Sequence, residues 1–139
     1  DETSDQGTHT FTYGFTVWHG SLFNGPVVRE AYELNVPLTV APGGSSPHLQ
    51  SLLRVDAENI VAETVKLAED GSGHWVIRLY ESKGASVSCT LASGFTVGRA
   101  WETDMLEQVR GELPIAGNTI RLPFRPFEVK TIRIEPRGT

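Results

Sequence analysis

From Thr8 to Trp18, apolar and polar side chains alternate: Phe11, Tyr13, Phe15 and Val17 share one parity, and Thr10, Thr12, Gly14 and Thr16 the other. A period of two in β-branched and aromatic residues predicts a half-buried strand. Gly20 and Asn24-Gly25-Pro26 end it. Pro26 suits the first turn of a short helix over Val27–Leu34, and Val36–Val40 reads as a second strand. The Pro-, Gly- and Ser-rich stretch from Ala41 to His48 is a loop and the best internal boundary. The first strand reads as an incomplete element. Its apolar face would be left partly uncovered, so self-association is expected.

Beyond that loop the signal is almost purely β. Strands are predicted over Leu52–Asp56, Ile60–Glu69, His74–Glu81, Ser86–Leu91, Phe95–Thr103, Thr119–Phe124 and Phe127–Glu135. Turn segments Asp70-Gly71-Ser72-Gly73, Ser82-Lys83-Gly84 and Ala116-Gly117-Asn118 separate them. The pattern predicts an all-β fold, an antiparallel β-sandwich with at most one short helix. Residues 1–48 then form the end of a preceding β-domain and 49–139 a C-terminal β-sandwich domain. His74–Glu81 is expected to be a central strand with Ile77 and Leu79 buried. In the last strand, Phe127 and Val129 share a parity that Ile132 and Ile134 do not. Either both faces are buried or a β-bulge near Lys130-Thr131 resets the register. Lys130 and Arg133 sit awkwardly on a buried face, which favours the bulge.

Composition narrows the function classes. The 139 residues are 39% hydrophobic and 21% charged, as in a globular domain. Seventeen acids against twelve bases leave −5, the wrong sign for a nucleic-acid surface. No apolar run approaches the length of a membrane span. The lone Cys89 excludes an internal disulfide framework and a zinc ribbon and fits a reducing compartment, hence a cytoplasmic expectation. The sequence begins Asp1-Glu2-Thr3 without Met and reads as a piece of a longer polypeptide.

Candidate chemistry is sparse. His9, His19, His48 and His74 lack the spacing of a helical zinc site. Glu102, Asp104 and Glu107 are the densest acids, read as a solvated hairpin or a structural ion pair rather than the paired carboxyls of a glycosidase. No G-x-S-x-G elbow occurs, and Asp70-Gly71-Ser72-Gly73 lacks the Lys of a phosphate-binding loop. Trp18, Trp75 and Trp101 fit core packing or an interface better than a sugar platform.

Several segments nevertheless carry a resemblance. Val65-Lys66-Leu67-Ala68-Glu69-Asp70, Val76-Ile77-Arg78-Leu79-Tyr80-Glu81, Asp104-Met105-Leu106-Glu107 and Phe124-Arg125-Pro126-Phe127-Glu128-Val129-Lys130-Thr131-Ile132-Arg133-Ile134 follow one another in order. Together they resemble the C-terminal β-domain of the glycoside hydrolase family 38 α-mannosidases. Asp5-Gln6-Gly7-Thr8-His9-Thr10-Phe11-Thr12-Tyr13 and Glu33-Leu34-Asn35-Val36-Pro37-Leu38 are similar to segments that precede this domain in the family. Where the family commonly has Pro-His, this chain has Val17-Trp18, with His19 one position later.

The resemblance implies a retaining exo-α-mannosidase as parent, acting on terminal α-mannose. Its zinc or other divalent metal would be held by two His and two Asp in an N-terminal α/β domain, with an Asp nucleophile and a second carboxyl as acid/base. None of those motifs occurs here, so no catalytic residue, metal ligand or cofactor is assigned to this chain. Arg78, Tyr80, Glu81, Glu107, Phe127 and Glu128 are motif positions of structural type. His9, Phe11, Tyr13 and His19 are candidates for an interface with the rest of the enzyme. The implied partners are the preceding domains and, through the parent, the α-mannoside. Arg78 either pairs bidentately with Glu81 or Glu107 or snorkels to solvent. A stand-alone carbohydrate-binding sandwich and a protein-interaction sandwich are the alternative classes.

Overall fold

Side chains of alternating character pair into ladders only where a neighbouring strand exists, and this separates the two ends of the chain. The computed structural model describes residues 6–40, 42–43 and 51–137. The chain divides into two units, residues 1–43 and 44–139.

In the first unit a 3-10 turn spans Leu22–Asn24, with the Ser21 hydroxyl accepting from Phe23 N–H at 3.2 Å. The Trp18 indole donates to the Ser21 carbonyl at 3.0 Å and lies against Gly25. A Cβ at Gly25 would fall 2.6 Å from the indole, so only glycine fits there. Helix α1, Val27–Asn35, follows Pro26 as expected and ends with Val36 N–H on the Tyr32 carbonyl. Neither Thr8–Trp18 nor Val36–Val40 forms a strand. Their alternation describes a face a strand would present, but no partner strand lies among the described residues. Phe15 is left 92% exposed.

The second unit holds nine strands: β1 Leu53–Val55, β2 Ile60–Leu67, β3 Trp75–Glu81, β4 Val87–Ser93, β5 Val97–Thr103, β6 Val109–Glu112, β7 Ile115–Ala116, β8 Thr119–Phe124 and β9 Val129–Pro136. They form two antiparallel sheets, β1-β4-β8-β7 and β2-β3-β9-β5-β6. This is the all-β sandwich the patterning predicts. The seven predicted strands are present. The two additional strands gave no signal: β6 is exposed at all four positions, and β7 has two residues.

Between the sheets, Ile77 and Leu79 of β3, Ala100 of β5 and Ile132 and Ile134 of β9 meet Cys89 and Leu91 of β4 and Ile120, Leu122 and Phe124 of β8. β3 is internal, as expected, with β2 and β9 on its flanks. The bulge expected near Lys130-Thr131 does not occur. Val129 to Ile134 pair with Tyr80 to Trp75 without interruption. The parity change has a simpler cause. Phe127 lies before the strand, Val129 faces outward half-exposed, and Lys130, Ile132 and Ile134 face the core while Thr131 is buried on the opposite face. Lys130 is accommodated at the core margin by Glu102, 2.8 Å away, with the Phe124 ring 5.9 Å from its ammonium.

Replacing Leu79 by Ala should cost about 2–5 kcal/mol in a urea titration, because the site is closed on all sides. Burial also pushes the Cys89 thiol up to about 11. Native protein at neutral pH should therefore react with a thiol reagent only as fast as it unfolds, which a timed alkylation will read.

Candidate functional site

The motif residues gather into two networks on the second unit. The first lies where strands leave one sheet for the other, and its centre is Glu81. This side chain is buried at the C-terminal end of β3, 1% exposed. Oε1 accepts from Asn59 Nδ2 at 2.8 Å and Lys83 N–H at 2.8 Å; Oε2 accepts from Gly84 N–H at 2.7 Å and Phe127 N–H at 3.0 Å. Burial alone would raise its pKa, but these donors outweigh it and pull the carboxyl down to about 2. Phe127 adopts a left-handed backbone, φ 58°, to present its N–H, and its ring covers Gly84. Gly84 has φ 72°, and a Cβ there would meet that ring at 2.8 Å. Glu128 closes the same corner: its carbonyl accepts from Glu81 N–H, and its carboxylate takes Arg125 N–H at 2.8 Å and the Arg125 guanidinium at 2.9 Å. Glu81, Phe127 and Glu128 are thus one assembly.

The second network lies on the face of the five-stranded sheet turned away from the core. Arg133 donates to Asp70 Oδ2 at 2.6 Å, Ser72 Oγ at 3.1 Å and His74 Nδ1 at 2.9 Å. With Nδ1 accepting, the proton of neutral His74 sits on Nε2. Its ring stacks on Trp101 with centroids 5.6 Å apart, and the Arg99 guanidinium stands 4.8 Å from the Trp101 centroid while pairing with Glu112. Asp70 is held well below the usual carboxylate range by the Ser72 hydroxyl and amide and by Arg133. Glu107, at φ 66°, bridges Lys66 Nζ at 2.6 Å and Glu69 N–H at 2.9 Å, and these donors lower its pKa. Asp104 accepts from Gln108 and Leu106 N–H, each at 2.9 Å, and pairs with Arg110; its pKa is lowered too, led by the Gln108 amide. The three densest acids of the sequence, Glu102, Asp104 and Glu107, are therefore structural ion pairs.

Arg78 departs from the paired reading of it. Neither Glu81 nor Glu107 reaches it. Its Nε meets Thr131 Oγ1 at 3.5 Å and its Nη2 the Met105 carbonyl at 3.4 Å, and the side chain is half-buried. Tyr80 lies two register positions on, opposite Val129, and is half-buried. His9, Phe11, Tyr13 and His19 are all exposed in the first unit. Sequence reasoning missed Asn59, Lys83 and Gly84 as partners of Glu81, and the alignment of Asp70, His74, Trp101 and Arg133. The only available signal was Asp70 followed by Gly71-Ser72, which forms a turn closed by Ser72 N–H on Oδ1 at 3.0 Å.

Residues 59–132 match the model of the family 38 glycosyl hydrolase C-terminal β-sandwich domain. The chain belongs to glycoside hydrolase family 38. The family 38 match takes in the whole of the first network and all of the second except Arg133, which lies one residue beyond it. The chain is 38% identical over 138 residues to alpha-mannosidase 2C1 of Mus musculus and 36% identical over 138 residues to that of Homo sapiens. It is 31% identical over 144 residues to alpha-mannosidase G of Dictyostelium discoideum. These alignments take in 95–96% of the chain, which spans 13% of the length of each relative.

Replacing Glu81 by Gln leaves amides facing donors and should destabilise the fold by about 3 kcal/mol near neutral pH. Because the folded pKa is depressed from 4.5 to about 2, the ionised carboxylate's contribution is present above pH 4.5 and lost as pH falls toward 2. The stability difference between the two proteins should accordingly narrow across that window in denaturant titrations at stepped pH.

Proposed function

We propose that this chain is the non-catalytic C-terminal part of a retaining, metal-dependent α-mannosidase that removes terminal α-mannose from glycans or oligosaccharides. The match of residues 59–132 to the family 38 sandwich carries this reading. In it, residues 49–139 are the C-terminal sandwich domain and residues 1–48 the end of a preceding β-domain. The exposed His9, Phe11, Tyr13 and His19 face the rest of the enzyme, or a second copy when the piece is isolated. A buried lone thiol supports a cytoplasmic setting.

The chemistry of the networks supports a structural role. Retaining hydrolysis needs a carboxylic acid kept protonated near neutral pH beside an ionised nucleophile. Glu81, Asp70, Asp104 and Glu107 are all shifted the other way and are saturated with donors. Nor do the residues fit the zinc the family implies. Among the described residues no three His, Cys, Asp or Glu side chains are grouped around a common ion position. Trp101 is occupied by His74 and Arg99, and Trp75 by Phe95, so neither offers the open ring a sugar-binding module stacks on.

The test is a p-nitrophenyl α-mannoside assay of the 139-residue chain and of its parent, with zinc calorimetry on the chain. Turnover is expected from the parent alone, and no zinc site tighter than about 1 µM in the chain. Turnover by the chain, or a tighter stoichiometric site, overturns the non-catalytic reading. An inactive parent with folded, metal-loaded catalytic domains overturns the mannosidase reading.

A further inference from the structure

Two of the described arginines are half-buried, Arg78 and Arg133, and they lie two rungs apart on the same face of the five-stranded sheet. Arg133 has a carboxylate at 2.6 Å, a hydroxyl and an imidazole nitrogen. Arg78 has no carboxylate partner among the described residues. Two of its five N–H groups reach neutral acceptors, at 3.4 and 3.5 Å, the long limit of a hydrogen bond. A partly desolvated guanidinium without an anion is unfavourable, and an arriving carboxylate corrects it with a bidentate pair.

On the β2 side Arg78 stands opposite Thr64, whose hydroxyl donates to the Glu63 carboxylate at 2.9 Å, and no salt bridge joins that carboxylate to Arg78; the remaining surroundings are apolar and pre-shaped. Val129, half-exposed, stands opposite Tyr80 two rungs from Arg78. On the other side the Asp104–Gln108 loop lays Met105 over Thr131, with Sδ 3.9 Å from its hydroxyl. Met105 is 57% exposed and Leu106 80%. This loop is not free to fold its apolar tip away. Asp104 holds two of its amides, and Glu107, in a left-handed conformation, is tied to Lys66 and to Glu69 N–H. An exposed apolar tip held in this way is organised for contact before its partner arrives.

We propose that this surface, Arg78 rimmed by Tyr80, Met105, Leu106 and Val129, docks another part of the parent polypeptide lying outside residues 1–139, and that the docked segment brings a carboxylate to Arg78. The inference rests on the family 38 reading in taking a longer polypeptide as parent. Two observations select this occupant. The chain spans only 13% of relatives that match it almost end to end, so most of such a polypeptide lies outside the matched region. The unmatched cation in an apolar rim calls for an acidic side chain among apolar ones, as a protein segment supplies.

The experiment uses the full-length parent with the photoreactive residue p-benzoylphenylalanine in place of Leu106. Illumination should cross-link it, within the same chain, to a peptide outside residues 1–139. Arg78→Gln should lower that yield about tenfold, while leaving the unfolding midpoint of the 139-residue chain unchanged. If Arg78→Gln impairs folding, Val129→Asp, a half-exposed position, serves in its place with the same expected loss. A yield no higher than from the same probe at Arg121, exposed on the other sheet, overturns the proposal. So does a cross-link only to a second molecule or to residues 1–43, or a yield indifferent to both substitutions. Mannosidase activity of the same preparation is read separately, so an inactive parent with a strong cross-link tells against the mannosidase reading and not against the docking surface.

Discussion

The sandwich hangs on one buried carboxylate. Five connections pass between the sheets: β1–β2, β3–β4, β4–β5, β6–β7 and β8–β9. Glu81 holds three of them at once, through Asn59 before β2, Lys83 and Gly84 after β3, and Phe127 before β9. A neutral side chain could not do this, since each carboxylate oxygen accepts twice and all four donors point inward. Desolvating the charge is unfavourable, and four short bonds in a site closed to water offset that. The arrangement also accounts for two left-handed backbones, of which only that of Phe127 is strained. Phe127 and Gly84 take positive φ because their N–H groups must converge on Oε2 while the Phe127 ring packs where a side chain on residue 84 would be. The Arg78-Leu79-Tyr80-Glu81 and Phe127-Glu128 motifs, 46 residues apart at their hydrogen-bonded pair, are therefore one physical object.

The sandwich was legible wherever a strand had one wet face and one dry face. Ile120, Leu122 and Phe124 alternate with Arg121 and Pro123, and β8 lies where that pattern says. Legibility failed for distinct reasons elsewhere. Thr8–Trp18 has the pattern but no partner, and a ladder is a property of two segments. β6 has a partner but no pattern, because an exposed edge strand has no dry face. β9 confused the reading because its outer face is also covered: Thr131 is buried by Met105 and Arg78, and Val76 is buried on the same face two rungs away. A charged residue inside an apolar run looked like a register fault. Lys130 instead reaches Glu102 at the margin of the core.

The networks were harder to read than the strands. Their members come from β2, β3, β5, β6 and β9 and from the connections before β2, between β2 and β3, after β3, between β5 and β6 and before β9, and nothing in linear spacing aligns Asp70 with Arg133 or Lys66 with Glu107. What the sequence did expose was density of acids, and density is ambiguous between catalysis and support. The direction of the pKa shifts separates the two. Donor-saturated carboxylates pulled below their ordinary range are fixed anions that hold loops, whereas an acid catalyst needs its proton near neutral pH. Each carboxylate here is matched to amides or to a cation from a distant part of the chain, so the same groups that suggested glycosidase chemistry tie the turns to the sheet.

That pattern gives Arg78 its significance. On one sheet face, Lys66 is shared by Glu69 and Glu107, Arg99 by Glu112 and Trp101, and Arg133 by Asp70, Ser72 and His74. Each of these three positive groups has its anion within about 3 Å. Arg78 occupies the middle of the same surface at a half-buried position of an internal strand, and meets a hydroxyl and a carbonyl instead. An arginine kept there for stability alone would be served by the solution its neighbours use. A shorter apolar residue would also fit beside Val76 and Thr131 without the desolvated charge. The position is intelligible as half of a pair whose other half belongs to another part of the polypeptide, while Glu81, fully satisfied from within, belongs to the domain itself.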